Sequence, residues 1–451
     1  MSNKLSYLND TIVAAATPQG RSGVSVIRIS GKDTENIGKI ILRSLPKPRS
    51  TNLKKFYSLE GEILDWGIAV YFPGPKSFTG ESVLELHCHG SPVVTSSIIN
   101  EIVTCGARFA GPGEFSKRAF INEKLDLVQA EAVSDLISSQ TEKSAKAAIR
   151  SMTGEFSKAV ELQKEKLTLL RVHIEAAIDF PDEEIDFLSD KELIARIQAC
   201  DDSFSNVIKV TSMGRLLRDG YKIVIAGKPN AGKSSLFNLL VGSNSAIVTD
   251  IAGTTRDVLR ETINIDGIAV ELRDTAGFQQ NVGVVEKEGI RRARKTLLEA
   301  DIVLWVNDIA EKKENIPDEI SSLNDVKAVL IHNKIDLIAD AQKLNKKERN
   351  TVYLSAKTGK GLDILLKTIK SIAGHEETEQ GTYTARQRHI EALRRSFDHF
   401  KLGKKAFYDK KDGAIVAEEL RLSHDALCEI TGEVTNEEIL GRIFSEFCIG
   451  K

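Results

Sequence analysis

The sequence predicts a multidomain protein that combines an α+β region, a helical region in two parts, and a doubly wound α/β segment inserted between those parts. Three observations predict it. The length of 451 residues exceeds one ordinary hydrophobic core. Near Glu114 short alternating runs give way to long helical periodicity, and at Tyr221 the pattern changes again to strand, glycine-rich turn and helix. Hydrophobic residues at 41% and charged residues at 28% are those of a soluble globular chain. Lys+Arg 62 against Asp+Glu 64 exclude a uniformly basic nucleic-acid coat, so any RNA contact has to come from a local patch. The five cysteines are scattered and form no CxxC pair, which argues against a disulfide framework or a zinc site. No run approaches the roughly 18 uncharged apolar residues of a membrane span, and the first residues lack a secretory pattern, so a cytoplasmic location is expected.

Residues 1–120 hold the α+β region. GVSVIRIS (23–30), GIAVYFP (67–73) and VLELHCH (83–89) are short β-rich or alternating runs, separated by turn clusters such as FPGP and AGPGE. His87 and His89 share one face of the last run, as a pair of metal ligands would. No third ligand stands at a suitable spacing, so satisfied or solvated histidines are the expected reading. Residues 121–216 form the first helical part. Three long glycine-poor stretches, beginning at Ala119, Glu155 and Lys191, repeat apolar residues at i, i+3, i+4 and i+7, the pattern of antiparallel bundle helices. DFPDEEIDFLSD (179–190), with six acids and no base, reads as a solvated linker between two of them. Residues 217–376 hold the α/β segment. In it KIVIAG, VLRETINI, IAVELRD, DIVLWVND and KAVLIHNK are strand-like, while KSSLFNLLV, VEKEGIRRARKTLLEA and GLDILLKTIKSIA are helical. HEETEQGT (375–382) is a polar linker, and residues 385–447 return to helix within a second helical part, 377–451.

Chemistry is most legible in the α/β segment. GKPNAGKS (227–234) fits G-x-x-x-x-G-K-[ST] between a strand and a helix. Gly227 and Gly232 let the backbone curl, so that Asn230, Ala231, Gly232, Lys233, Ser234 and Ser235 cradle phosphate oxygens at the helix N-terminus. Lys233 is expected to reach the β- and γ-phosphates and Ser234 to ligate Mg²⁺. In DTAG (Asp274, Thr275, Ala276, Gly277), Asp274 is expected to hold Mg²⁺ through water and the Gly277 amide to meet the γ-phosphate. NKID places Asn333 and Lys334 to brace and cover a base, and Asp336 to accept two donors that guanine presents and adenine does not. Ser355, Ala356 and Lys357 supply a backbone amide to the guanine oxygen. SAIVTDIAGTTRDV (245–258) suits a switch loop, in which Thr249, Asp250, Ile251, Ala252, Gly253, Thr254 and Thr255 surround the nucleotide and Thr255 is the second Mg²⁺ ligand. The ordered set resembles the Ras-like, translation-factor-related GTPases, which implies GTP and GDP as ligands. Phe278 stands where a Ras-type enzyme carries its water-positioning glutamine, so another group has to substitute.

SAIVTDIAGTTRDV and GKPNAGKS, together with Phe278 and the closing CIGK (448–451), resemble the MnmE (TrmE) family of tRNA-modification GTPases. The resemblance covers essentially the whole chain, including FPGPKSFTGESVLELHCHG (72–90) and GPGEFSKRAFINEKLDLVQAEAV (111–133). It implies a folate-binding N-terminal domain, a discontinuous helical domain, and an inserted Ras-like G domain. It also implies a potassium-activated GTPase, with Asn230, Thr249, Ile251 and Thr254 around the potassium ion and Glu286 orienting the attacking water. A monovalent cation beside the bridging phosphate oxygen can neutralise charge as an arginine finger would. Arg28, Glu85 and Lys124 match positions that hold a 5,10-methylene- or 5-formyl-tetrahydrofolate. The same resemblance brings Cys448 toward that site, in covalent or acid–base chemistry, with Lys451 contacting the cofactor. The implied partners are tRNA and the flavoprotein MnmG (GidA) in a heterotetramer. The implied assembly is a homodimer through the N-terminal domain, with transient pairing of the G domains. The implied reaction adds an aminomethyl or carboxymethylaminomethyl group to C5 of a wobble uridine. A ribosome-assembly GTPase and a plain folate-dependent aminomethyltransferase are the alternatives, each sharing one half of these features.

Charge suggests where RNA would bind. Residues 386–411 carry nine bases against three acids, and residues 412–447 carry nine acids against two bases. A phosphate-contacting helix and a helix paired with the acidic stretch both fit that pattern.

Overall fold

A computed structural model of the chain describes residues 10–179, 191–243, 260–274, 296–310, 316–321, 326–338, 350–372, 382–410, 412–434 and 437–450. In chain order the first elements are β1 (Ile12–Ala15), β2 (Ser22–Ser30), α1 (Thr34–Leu42), β3 (Asn52–Tyr57), β4 (Ile63–Phe72), β5 (Val83–Gly90), α2 (Pro92–Thr104) and β6 (Arg108–Phe109). Helices α3 (Glu114–Ile121), α4 (Leu127–Ile137), α5 (Glu142–Met152), α6 (Glu155–Asp179) and α7 (Lys191–Asp219) follow. Next come β7 (Tyr221–Gly227), α8 (Lys233–Ser243), β8 (Arg260–Ile265), β9 (Ile268–Asp274), β10 (Ile302–Asp308), α9 (Asp318–Ser321), β11 (Lys327–Asn333), β12 (Thr351–Tyr353) and α10 (Leu362–Ile372). The last helices are α11 (Gln387–Lys405), α12 (Gly413–Thr431) and α13 (Glu437–Ser445). Two compact units result. One comprises Met1–Ser134, Ser151–Phe204 and Glu391–Lys451; the other comprises Asp135–Arg150 and Ser205–Ile390.

In the first unit the strands lie in the order β3-β4-β5-β2-β1-β6, antiparallel except for the β1–β6 pair. Alternation along β2 and β5 buries Ile27, Ile29, Leu84, Leu86 and Cys88 against Ile37 and Ile41 of α1 and Ile98 and Ile102 of α2. Arg28, Glu85 and His87 therefore fall on the opposite face. Two caps divide the helical stretch that begins at Ala119. Asp126 and Gln129 exchange side-chain to backbone bonds of 3.0 and 2.8 Å, a capping box that starts α4. Thr141 Oγ1 accepts from the Ser144 amide at 3.1 Å and starts α5. Beyond them α6 buries Val160, Leu167, Leu170 and Ile174 in one stripe and packs along α12. The Phe204 ring lies 5.1 and 5.4 Å from those of Phe397 and Phe400 on α11. Helices from before and after the α/β segment thus share one core.

The second unit holds a sheet of order β12-β11-β10-β7-β9-β8, parallel except where β8 runs antiparallel to β9. Its central strands are continuous apolar runs because helices cover both faces. Ile223, Ile225, Leu304, Val306, Val329 and Ile331 are fully buried. The direction of winding reverses between β7 and β10, the crevice where doubly wound sheets bind ligands.

Candidate functional site

The glycine-rich loop leaves β7 at that crevice and ends at the first turn of α8. Asn230 adopts φ 61° and Gly232 φ 93°. A side chain at Gly232 would collide with Asn333 Nδ2, so the close approach demands glycine there. Lys233 is buried, and its ammonium donates to the carbonyls of Gly227 at 3.0 Å and Lys228 at 2.7 Å, which holds it across the loop. Ser234 and Ser235 are exposed at the head of α8. There the positive end of the helix dipole favours an anion.

Asn333, 2% exposed at the end of β11, ties this loop to another. Its Nδ2 donates to the Ala231 carbonyl at 2.9 Å, and its Oδ1 accepts from the Ala356 amide at 2.9 Å. Of the three residues expected to supply an amide to a base oxygen, Ala356 thus has its amide engaged by Asn333. Asp336 is exposed, and Ser355 Oγ donates to its Oδ1 at 2.6 Å, which holds its carboxyl below the ordinary value. Lys334, in left-handed conformation at φ 67°, pairs with Asp308 at 2.7 Å, and that hydrogen bond holds the Asp308 carboxyl low. The structure thus gathers Asn230 through Ser235, Asn333, Lys334, Asp336 and Ser355 through Lys357 around the β7–β10 crevice. Asp274 ends β9, beside β7, with its backbone alone described. Thr249 through Thr255, Thr275, Ala276, Gly277, Phe278 and Glu286 lie outside the described residues.

A second cluster lies on the first unit's sheet. Arg28 Nε donates to Glu85 Oε1 at 2.9 Å from the adjacent strand, and Phe78 and Phe115 sit 5.8 and 5.7 Å from the guanidinium. Lys124 is exposed just beyond α3, its aliphatic stem passing close to Gly80. Asn122 Nδ2 donates to the Thr79 carbonyl at 2.7 Å. One loop, 77–81, thus reaches both Arg28 and Lys124. The closing segment lies against the same sheet. Ile449 bridges to Pro112, the Gly113 amide donates to the Cys448 carbonyl at 3.3 Å, and Arg28 Nη1 reaches the Gly450 carbonyl at 3.5 Å. Gly450 has φ 95°, and a side chain there would strike the Ala15 carbonyl. Cys448 is exposed, and Lys451 lies outside the described residues. His87 lies 3.7 Å from Glu85, and His89 bonds Asp65 at 2.8 Å; no group of three metal-ligating side chains occurs among the described residues.

The MnmE helical domain model matches residues 127–448, and the model of the GTP-binding protein TrmE N-terminus matches residues 11–124. The chain belongs to the MnmE (TrmE) family. The tRNA modification GTPase MnmE of Coxiella burnetii is 47% identical over 447 residues, covering 98% of this chain and 99% of that one. That of Shewanella amazonensis is 47% identical over 450 residues, with the same coverage. Among solved structures, the G domain of the T. maritima FeoB iron transporter is 27% identical over 34% of this chain and 98% of that one, with a TM-score of 0.24.

In this MnmE-family chain a supporting network went unread in the sequence. Arg118, 2% exposed on α3, meets Asp10 at 2.6 Å, Glu81 at 3.0 Å and Glu114 at 3.1 Å. Burial alone would raise the Glu114 carboxyl, but hydrogen bonds from Arg108, the Gly111 amide and Arg118 hold it below its ordinary value. Glu81 Oε2 also accepts from Ser30 Oγ at 2.6 Å, which anchors loop 77–81. The spacing of Glu114 and Arg118, i and i+4 on a helix, was the available signal.

Proposed function

We propose that the chain is a potassium-activated GTPase of tRNA modification. With a flavoprotein of the MnmG (GidA) type it adds an aminomethyl or carboxymethylaminomethyl group to C5 of a wobble uridine, using a tetrahydrofolate one-carbon donor. Asn333 carries the nucleotide half of this reading, because one side chain fastens the phosphate loop to the base loop at the crevice of the sheet. Asp336 accepts the guanine N1–H and N2–H₂ groups, and the Ser355 hydrogen bond that lowers its pKa keeps it an ionised acceptor at neutral pH. Lys233 releases its loop carbonyls to meet the β- and γ-phosphates. Ser234 and Asn230 offer hard oxygen donors that suit Mg²⁺ and K⁺, completed by Thr255 and by Thr249, Ile251 and Thr254. Bound there, the cations neutralise charge developing on the phosphates, while Glu286 orients water.

The second half rests on the Arg28–Glu85 pair under the closing segment. Glu85 accepts the pterin's amino donors, while Arg28 and Lys124 hold the glutamate tail or ring carbonyl of the folate, with Lys451 beside it and Cys448 exposed at its edge. A homodimer in the cytoplasm is part of the proposal. Leu53, Trp66 and Ile68, 78, 59 and 41% exposed on β3 and β4, give the sheet an apolar face suited to a second copy. The boundaries 1–120, 121–216, 217–376 and 377–451 remain our proposed division into folate, helical, G and second helical parts. GTP turnover in potassium against sodium, combined with calorimetric titration of methylene-tetrahydrofolate, tests both halves. A ribosome-assembly GTPase would bind no folate, and a plain aminomethyltransferase would turn over no GTP. Asp336→Asn should shift preference from GTP to XTP, and an unchanged preference would remove Asp336 from base recognition.

A further inference from the structure

The sequence directs the search for an RNA surface to residues 386–411, but the structure consumes much of that charge internally. Arg386 pairs with Asp135 at 2.9 Å, Arg395 with Glu429 at 2.7 Å, Lys401 with Asp398 at 3.4 Å and Lys404 with Asp201 at 2.7 Å. A guanidinium or ammonium already paired with a carboxylate has to give up that partner before it can displace the cations condensed on a polynucleotide.

The N-terminal unit presents the converse. Residues 43–58 contain five bases, Arg43, Lys47, Arg49, Lys54 and Lys55, and no acid. Lys76 stands beside them, because Arg49 Nη2 donates to its backbone carbonyl at 2.8 Å. Among the described residues none of these six cations lies in an ion pair with a carboxylate. Their contacts leave the charge uncompensated. Lys54 Nζ donates to Ser44 Oγ at 2.8 Å, and the Arg43 guanidinium lies 4.9 Å from the centre of the Tyr57 ring. These groups flank β3, which ends the sheet and pairs only with β4. Its six residues extend the row over about 17 Å at roughly 3.4 Å each. Lys47 stands between Pro46 and Pro48, whose fixed φ angles restrict the loop before anything binds.

We propose that this acid-free edge, formed by loop 43–51 and Lys54 of β3 with Lys76, is a docking surface for the phosphate backbone of RNA, beside the face on which Leu53, Lys55 and Trp66 would meet a second copy. The inference rests on tRNA being the substrate and deepens that reading by placing the contact. A row of cations along a strand matches the linear anion array of a polynucleotide, and the hydroxyl and aromatic groups beside it suit ribose and unstacked bases. Lysines on an edge strand also deter edge-to-edge pairing of sheets, but that role predicts no salt-dependent RNA affinity.

The test is titration of the full chain against an unmodified tRNA transcript at several salt concentrations. It compares wild type with a triple variant, Lys47→Glu, Lys54→Glu and Lys76→Glu, and with Arg394→Glu/Lys405→Glu on α11. GTP turnover should remain at the wild-type rate in both, and an unchanged urea midpoint of the first unit reports its folding. The triple variant should bind at least tenfold more weakly. Its plot of log affinity against log salt should be shallower by about 2 to 3 units, the value for three lost phosphate contacts. The α11 variant should stay within twofold. Wild-type affinity and slope in the triple variant would overturn the inference alone. Absence of tRNA binding by the wild-type chain would overturn the tRNA reading and this surface with it. Two further outcomes count against RNA. Binding of wild type, but not the triple variant, to phosphatidylglycerol vesicles with tRNA affinity unchanged would assign the edge to a membrane. Self-association of the Lys→Gln triple with unchanged tRNA affinity would assign the lysines to protection of the edge.

Discussion

Replacing Asp135 by alanine tests whether one carboxylate secures both ends of the α/β segment. Arg218, at the end of the helix that leads into β7, donates through Nε to Asp135 Oδ1 at 2.8 Å. Arg386, where the chain returns from that segment, donates through Nη2 to the same oxygen at 2.9 Å. The Asp135 and Arg386 side chains are 5 and 9% exposed, whereas Arg218 is 28% exposed and also pairs with Asp219. Most of the cost therefore falls on Arg386. Removing one member of a buried ion pair costs about 3–5 kcal/mol, and about 3 kcal/mol is expected because Arg218 keeps solvent and Asp219. For a unit of this size that lowers the unfolding midpoint by roughly 6–12 °C. Calorimetry should show the loss in the transition of the nucleotide-binding unit. Asp135→Asn, which keeps an acceptor but removes the charge, should fall between the two. A midpoint for Asp135→Ala within about 2 °C of wild type would refute the reasoning.

Asn333→Ala removes two bonds between the phosphate and base loops, each worth about 1 kcal/mol, so GTP affinity should fall roughly thirtyfold in a fluorescent-nucleotide titration; wild-type affinity would show the brace to be idle. The Asp10 and Glu114 carboxyls are held below their ordinary values of 3.8 and 4.5, so their contribution is present above those values and lost as pH falls through the depressed ones. The urea midpoint of the N-terminal unit should accordingly drop as the pH falls below those ordinary values. Arg118→Met should flatten that dependence, and an equally steep one would place the acid sensitivity elsewhere. Burial pushes the thiols of Cys200 and Cys428 up to about 12, whereas Cys448 is exposed. A charged disulfide reagent near pH 8 should modify Cys448 first, and mass spectrometry finding Cys200 or Cys428 labelled ahead of it would contradict this ordering.

Elements whose pattern is periodic over a full face were readable, and those whose context is tertiary were not. Alternation in 23–30 and 83–89 gave β2 and β5, and GKPNAGKS after an apolar run gave the loop between β7 and α8. In contrast β1 has four residues, β6 two and β12 three, too few to show a period. They exist because longer neighbours supply their hydrogen bonds. The stretch from Ala119 reads as one helix because its apolar period survives the breaks, while the caps at Asp126 and Thr141 that divide it are short polar signals. Asn333 and Asp336 were legible as a motif; that Asn333 spends its oxygen on the Ala356 amide was not, since that bond joins residues 23 apart. The internal pairing of the basic run near the C-terminus was hidden for the same reason. Sequence counts charges, whereas Asp135, Asp201 and Glu429 cancel them across distances that only folding creates.

The contact between Arg28 and the Gly450 carbonyl joins residues 422 apart in the chain. A ribosome makes Arg28 early, then the bundle, the α/β segment and the second set of helices, before residues 448–450 exist. The N-terminal sheet can pair its strands long before then, but the wall that Ile449 and Gly450 add to it arrives last. Premature termination anywhere after the first hundred or so residues would leave a sheet able to fold yet lacking that wall. Nascent chains therefore carry the sheet without these contacts until residues 448–450 are made, and their formation reports that everything between has been translated.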